Sequence, residues 1–200
     1  MKPLGKTAQT LADTFLELAM ERGYNAVSYA DLAKRLGIRT ASIHYHFPTK
    51  SDLGVTVLRL YKEATFKAVS ATTPDNPQSY RVAFENMLGP VRSLARIDEA
   101  SCLVGVLGAE FASLPEDIKK DVRVFFNEQE QFLTHLLGEG RTAGAFAFEG
   151  EAKDMAKMIA STLQGAILIK KARGDCGYMD SILEDLHRMI MPPSVSTGST

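Results

Sequence analysis

Gly37 and Pro48 frame the stretch that most limits what this chain can become. From Ser28 to Leu53 it reads Ser-Tyr-Ala-Asp-Leu-Ala-Lys-Arg-Leu-Gly-Ile-Arg-Thr-Ala-Ser-Ile-His-Tyr-His-Phe-Pro-Thr-Lys-Ser-Asp-Leu. Ser28, with Asp31 three residues on, is an N-cap pair, and Leu32, Ala33 and Leu36 recur at the spacing of one helix face. Gly37 ends that helix, because glycine takes positive φ without steric cost and lets apolar Ile38 fold back under the turn. Thr40 is then predicted to cap a second helix. It runs to about Phe47, since Pro48 excludes the residue before it from helical angles. Two short helices across a glycine turn make a helix-turn-helix.

The second helix carries Thr40, Ser42, His44, Tyr45 and His46, all hydrogen-bonding side chains of short or medium reach, while Ala41, Ile43 and Phe47 are available to face inward. A buried helix has no use for such a set. In a major groove, hydroxyls and imidazoles meet base edges or phosphates, and a helix N-terminus favours a phosphate. Lys50 follows where the next helix begins, in position to clamp the DNA backbone. The predicted DNA-contacting residues are therefore Ser28, Arg39, Thr40, Ala41, Ser42, His44, Tyr45, His46 and Lys50. Tyr45 and Lys50 fall to phosphates, and Thr40, Ser42 and His44 lie nearest the bases.

At these residues the chain resembles the TetR/AcrR family of bacterial transcriptional regulators. Gly23, Ser28, Leu32-Ala33, Gly37-Ile38, Ile43, Phe47-Pro48, Lys50 and Asp52-Leu53 stand at the matching places. Arg39 sits where the family often has a capping serine, and His44-Tyr45-His46 replaces the more usual aromatic order. The resemblance implies an operator-binding homodimer, in its usual sense a repressor, released by a small molecule bound in a C-terminal helical domain.

Charge agrees with the position of the reader. The whole chain of 200 residues has a formal net charge of −1. Residues 1–66 hold nine bases against six acids, a net of +3, which leaves −4 for the remainder. A basic excess on the DNA-reading part is the electrostatic footprint of such a protein, although a solvated face also produces one. With 45% apolar and 24% charged residues the composition is globular, and no apolar run approaches the roughly 20 residues that span a bilayer. The first residues, Met-Lys-Pro-Leu-Gly-Lys, lack the apolar core of a signal peptide, so a cytoplasmic location is expected. There Cys102 and Cys176 are not expected to form a disulfide.

Along the chain every periodic segment is helical, which predicts an all-α fold of about nine helices and no strand. Leu4, Ala8, Leu11, Phe15 and Leu18 define helix one, ending at Gly23. Leu53, Val57, Leu60 and Ala64 define a connecting helix from Ser51 to about Ala71, followed by the turn cluster Thr72-Thr73-Pro74-Asp75-Asn76-Pro77. The expected domains are 1–50, the DNA reader, and 51–191, an effector-binding and dimerisation domain; 192–200 is expected to be a disordered tail. A helix carrying Phe84, Met87, Leu88, Val91 and Leu94 comes next. A small-residue helix spans about Ser101 to Ser113, and a long helix runs from Pro115 to Leu137, interrupted by Gly138-Glu139-Gly140 and Gly144. Two helices close the fold, Glu151 to Arg173 and Met179 to Ile190. The first is apolar on two faces: Met155, Ile159, Leu163 and Ala166 on one, Met158, Thr162, Gly165 and Ile169 on the other. More apolar surface than a small domain covers points to a two-fold four-helix interface, predicted at Ile159, Leu163, Ala166, Ile182 and Leu186.

Phe84, Met87, Phe111, Phe125, Gln129, Phe132, Met155 and Met158 are candidates to line an effector pocket, and they suit a solid core equally well. Cys102 is the sharper candidate. At the start of a helix a thiolate is stabilised, as a sensor of oxidants or electrophiles requires, while a buried inert cysteine is the alternative. This stretch also resembles the C-terminal domains of electrophile-sensing members of the family. Catalysis is not expected, because nothing in the sequence orients Cys102 with His135. Nor is a metal or cofactor: His44 and His46, two apart on a helix, diverge, and Gly138-Glu139-Gly140 lacks the lysine and strand of a phosphate loop. The remaining rival is a DNA-binding regulator with no small-molecule effector, governed by redox or a protein partner.

Overall fold

The computed structural model describes residues 4–70 and 74–191. Thr72, Thr73, the final residue of the expected connecting helix and the expected tail lie outside them. All regular structure among the described residues is helical. The α-helices are α1 (Lys6–Arg22), α2 (Tyr29–Leu36), α3 (Thr40–His46), α4 (Lys50–Ser70), α5 (Pro77–Ala95), α6 (Leu103–Ala109), α7 (Glu116–Thr142), α8 (Ala152–Arg173) and α9 (Gly177–Ile190), with a 3₁₀ turn at Phe111–Ser113. No helix among the described residues is long and apolar enough to cross a membrane.

The chain divides into two compact units that interleave in sequence. The first contains α1 to α3, α4 as far as Phe66, and Ile97–Asn127; the second contains Lys67–Arg96 and the chain from Glu128 onward. In the first unit α1 packs on α2 and α6, and α2 on α3. Its core is built from Leu11, Phe15, Leu32, Ile43, Leu53 and Phe125, each almost wholly removed from water. Ser101 N–H donates to Met20 O at 3.1 Å and fixes an extended entry to α6. That helix is shorter than the sequence suggests. It stops at Ala109, and Glu110 turns its carboxylate to accept from the Asn25 N–H instead of continuing the helix.

In the second unit α8 packs on both α5 and α9. Lys170 is fully buried there and donates from Nζ to Leu94 O at 3.3 Å, a carbonyl in the last turn of α5, where the helix no longer supplies i+4 donors. α7 runs unbroken through Gly138 and Gly140, against the expected interruption. Gly140 is a packing glycine, since a methyl group there would overlap the Phe146 ring. The true stop is Gly144, at φ 78°.

Candidate nucleic-acid interface

The reader is assembled from the turn outward. Ser28 and Asp31 form a reciprocal capping box: the Ser28 N–H donates to Asp31 Oδ2 at 2.7 Å, and the Asp31 N–H donates to Ser28 Oγ. The hydrogen bonds from Ser28 hold the Asp31 carboxyl below the usual carboxylate range. The Ser28 hydroxyl thus has a structural task at the start of α2. Gly37 adopts the left-handed conformation at φ 65°, and the Ile38 N–H returns to Ala33 O at 3.1 Å, closing the α2 C-terminus as only a glycine does cheaply.

Extended backbone at Arg39 makes that residue the N-cap of α3, and no side chain caps the helix. Thr40 is the first helical residue, so its expected capping role is corrected. Ile43 and Phe47 are buried and fasten α3 to the core, whereas Ala41 is exposed with Arg39, Thr40, Ser42, His44 and Tyr45. The short helix offers the inside only one anchoring stripe, and Ala41 lies off it. Tyr45 is 84% exposed, and its ring meets His46 edge-on at 5.1 Å.

A buffer of internal hydrogen bonds sets the angle of α3. The Tyr29 hydroxyl donates toward both Phe47 O and Thr49 O, at 2.9 and 2.6 Å. Burial, then the charge of Asp52 and Tyr24, pushes its pKa up to about 12, so it remains a donor. His44 stacks edge-on against Tyr29 at 4.8 Å and gives Nδ1–H to Pro48 O at 3.1 Å. Thr49 and Asp52 make a second capping box at the start of α4. Lys50 does not project freely. Its Nζ donates to Asn25 O at 3.3 Å and sits 4.4 Å from the centre of the Tyr24 ring. Burial lowers the Lys50 pKa, against the opposing pull of Glu110 and Asp31.

The candidate pocket residues do not form a single group. Cys102, Phe111 and Phe125 belong to the first unit; Phe84, Met87, Gln129, Phe132, Met155 and Met158 to the second. Cys102 is 7% exposed, is the N-cap of α6, and has Sγ 3.3 Å from Tyr61 Oη. Phe125 closes this cluster with Tyr61 and Phe66, its ring centre 6.2 and 5.5 Å from theirs. Tyr61 was not singled out by sequence, and its place on the stripe Val57, Leu58, Tyr61 is the only signal of it. Phe111 turns instead to the surface, beneath Arg123 at 4.9 Å and Lys119 at 6.0 Å. In the second unit Phe84 packs edge-on against Phe146 and His187. Among the described residues Gln129 has a buried Oε1 without a hydrogen-bond partner, and Met158 is exposed.

The predicted dimer stripe also needs correction. Ile159, Leu163, Ala166 and Leu186 are buried within the chain itself, and Ile182 is half-buried. The other face of α8 carries the exposed apolar side chains Met158, Leu168 and Ile169, joined on α9 by Met189. Periodicity finds both faces and does not say which one the chain covers.

An anchored, solvent-facing α3 behind a glycine turn, in a chain whose regular structure is helical throughout the described residues and which has a second compact unit, defines a helix-turn-helix DNA-binding regulator. Residues 12–55 match the model for bacterial regulatory proteins of the tetR family, and residues 85–186 match the tetracyclin repressor-like C-terminal domain. The chain belongs to the TetR family of transcriptional regulators. Among relatives, it is 22% identical to the HTH-type transcriptional repressor NemR of Escherichia coli K12 over 94% of this chain and 96% of that one. A TetR-family regulator from Agrobacterium tumefaciens is 30% identical, with 92% of this chain and 100% of that chain covered at a TM-score of 0.79. The reduced form of E. coli NemR shares the fold at a TM-score of 0.74 and 21% identity, over 95% of this chain and 100% of that one.

Proposed function

We propose that the protein is a homodimeric repressor that binds operator DNA through α3 and leaves it when an electrophile or oxidant reacts at Cys102. The observation that carries this reading is the 3.3 Å approach of Cys102 Sγ to Tyr61 Oη. Tyr61 lies on α4, and α4 begins at Lys50, directly after the recognition helix. Addition of the thiol to an activated alkene forms a C–S bond at one carbon and leaves the proton on the other, so the adduct fills space beside Tyr61 in a close-packed core. The core must yield, and α4 with its capping box is the element that moves. The repressor sense is supported by the name of the NemR relative.

Arg39, Thr40, Ala41, Ser42, His44 and Tyr45 face the groove in this reading, and His46 borders it. Two copies read half-sites separated by roughly 34–36 Å or a multiple. The second copy docks on the exposed apolar face of α8 and α9 around Leu168, Ile169 and Met189. A non-covalent effector in the second unit is the second reading, favoured by Gln129 Oε1, a buried acceptor that a ligand hydroxyl or N–H would satisfy.

The test is fluorescence anisotropy on duplex from the protein's own upstream region and on random duplex, with and without N-ethylmaleimide. Tight binding to one duplex, lost on alkylation and retained by Cys102→Ser, is the expected result. Equal sensitivity of wild type and Cys102→Ser overturns the sensor role.

A further inference from the structure

A cleft of about 330 Å³ opens in the first unit between α1 and the segment before α6. Leu16, Met20, Ile97 and Ala100 give it an apolar lining, and Ile97 is exposed. Its charged lining consists of Glu17, Glu21 and Glu99 against the single base Arg35. Glu21 pairs with Arg22 at 3.0 Å, whereas Glu17 and Glu99 have no ion-pair partner among the described residues. The lining is therefore mostly apolar and carries two carboxylates without an ion-pair partner among the described residues. The volume is that of a small-molecule site, and clefts lined by one sign of charge concentrate ligands of the other.

We infer that this cleft binds a small organic cation with an apolar body, of the aryl- or alkylammonium class. Charge complementarity sets the sign of the ligand, and the apolar lining requires it to bring hydrocarbon. The ammonium sits between Glu17 and Glu99 while the hydrocarbon covers Ile97 and Met20. Neither Cys102 nor any other of the effector-pocket candidates lines it. It nevertheless touches the reader, since Arg35 belongs to α2, and it lies beside the Ser101–Met20 hydrogen bond that ties the entry of α6 to α1.

The experiment is isothermal titration calorimetry of the full-length protein with benzyltriethylammonium, and with benzenesulfonate as the anionic control. A variant carrying Glu17→Gln and Glu99→Gln is titrated in parallel. Both positions are exposed, so the variant is expected to fold, which circular dichroism checks. The expected result is saturable binding of the cation alone, weakened about tenfold by the double substitution and weakened further by salt. No saturable binding at millimolar cation overturns the inference. So does equal binding of the sulfonate, or binding that survives the double substitution.

Discussion

The Arg59 guanidinium holds the Asp121 carboxylate at 2.9 Å, one turn of α7 beyond Asp117, whose two oxygens accept from Ser51 Oγ at 3.1 and 3.0 Å. α4 is thereby tied to the start of α7 at two points, and the helices approach closely at Gly54, where a methyl group would meet Ile118 Cδ1 at 2.8 Å. These ties are half-exposed, so their worth to stability is small, about 1 kcal/mol or less each. Their leverage is on the position of α4. Asp117→Ala with Asp121→Ala is expected to leave the urea midpoint nearly unchanged and to shrink the loss of DNA affinity that alkylation of Cys102 produces. A double variant that responds to alkylation as fully as wild type would show that the lash does not carry the push of the adduct to α4.

Tyr45 and Lys50 separate as targets although both were expected at phosphates. Tyr45 is 84% exposed with its ring edge-on to that of His46, and no hydrogen bond ties its hydroxyl to the fold among the described residues. Tyr45→Ala should weaken binding to cognate and random duplex alike with an unchanged melting temperature. Lys50→Met removes a donor to Asn25 O and a cation from the Tyr24 ring, so it should lower the melting temperature as well as DNA affinity. Thermal melting and anisotropy across a salt series decide between these patterns. A flatter salt slope in Lys50→Met would mean that the ammonium swings to a phosphate on the DNA.

The parts of the reader that sequence made legible are those governed by neighbours in the chain. Ser28 with Asp31 is a capping box by type and spacing, and Gly37 is a left-handed terminator because no other residue takes that conformation as cheaply. Arg39 escaped the same logic: backbone geometry after the turn, not a side-chain bond, decides where α3 starts. Gly138 and Gly140 read as a break because their packing partners lie outside the local window. Tyr61 reads as one more apolar-face residue on α4 until Cys102, forty-one positions away, is seen beside it. The buried stripe of α8 was likewise visible as a stripe, but its inward direction depends on α5 and α9.

Glu85 joins α5 to α9 by accepting from His187 Nε2 and from Arg92, the latter at 2.9 Å. Burial alone would raise its carboxyl. The bonds from His187 and Arg92 outweigh burial and leave it below the ordinary value of 4.5. A folded pKa below the unfolded one gives stability that is present above the unfolded value and is lost as pH falls through the folded one. Glu85→Gln is therefore expected to be less stable than wild type near neutral pH, with the gap closing as pH falls below the ordinary carboxyl value of 4.5. Urea denaturation of both proteins across that range measures it, and a gap independent of pH would rule out the ionised carboxylate as its source.

Two glycines two positions apart in α7 should respond in opposite senses to the same substitution. A methyl at Gly138 finds only Ala152 Cβ at 3.7 Å, an ordinary contact, and alanine replaces the poorest helix former other than proline. Gly138→Ala should stabilise by about 0.5–1 kcal/mol. A methyl at Gly140 runs into the buried Phe146 ring and comes within 3.4 Å of Tyr80 Cβ. Neither neighbour is the free end of a flexible chain, since Phe146 also packs edge-on against Phe84. Gly140→Ala should therefore cost about 1–3 kcal/mol through overpacking, despite the same gain in helix propensity. Denaturant midpoints of the two variants test the pair, and stabilisation by both would mean that Phe146 has room to withdraw.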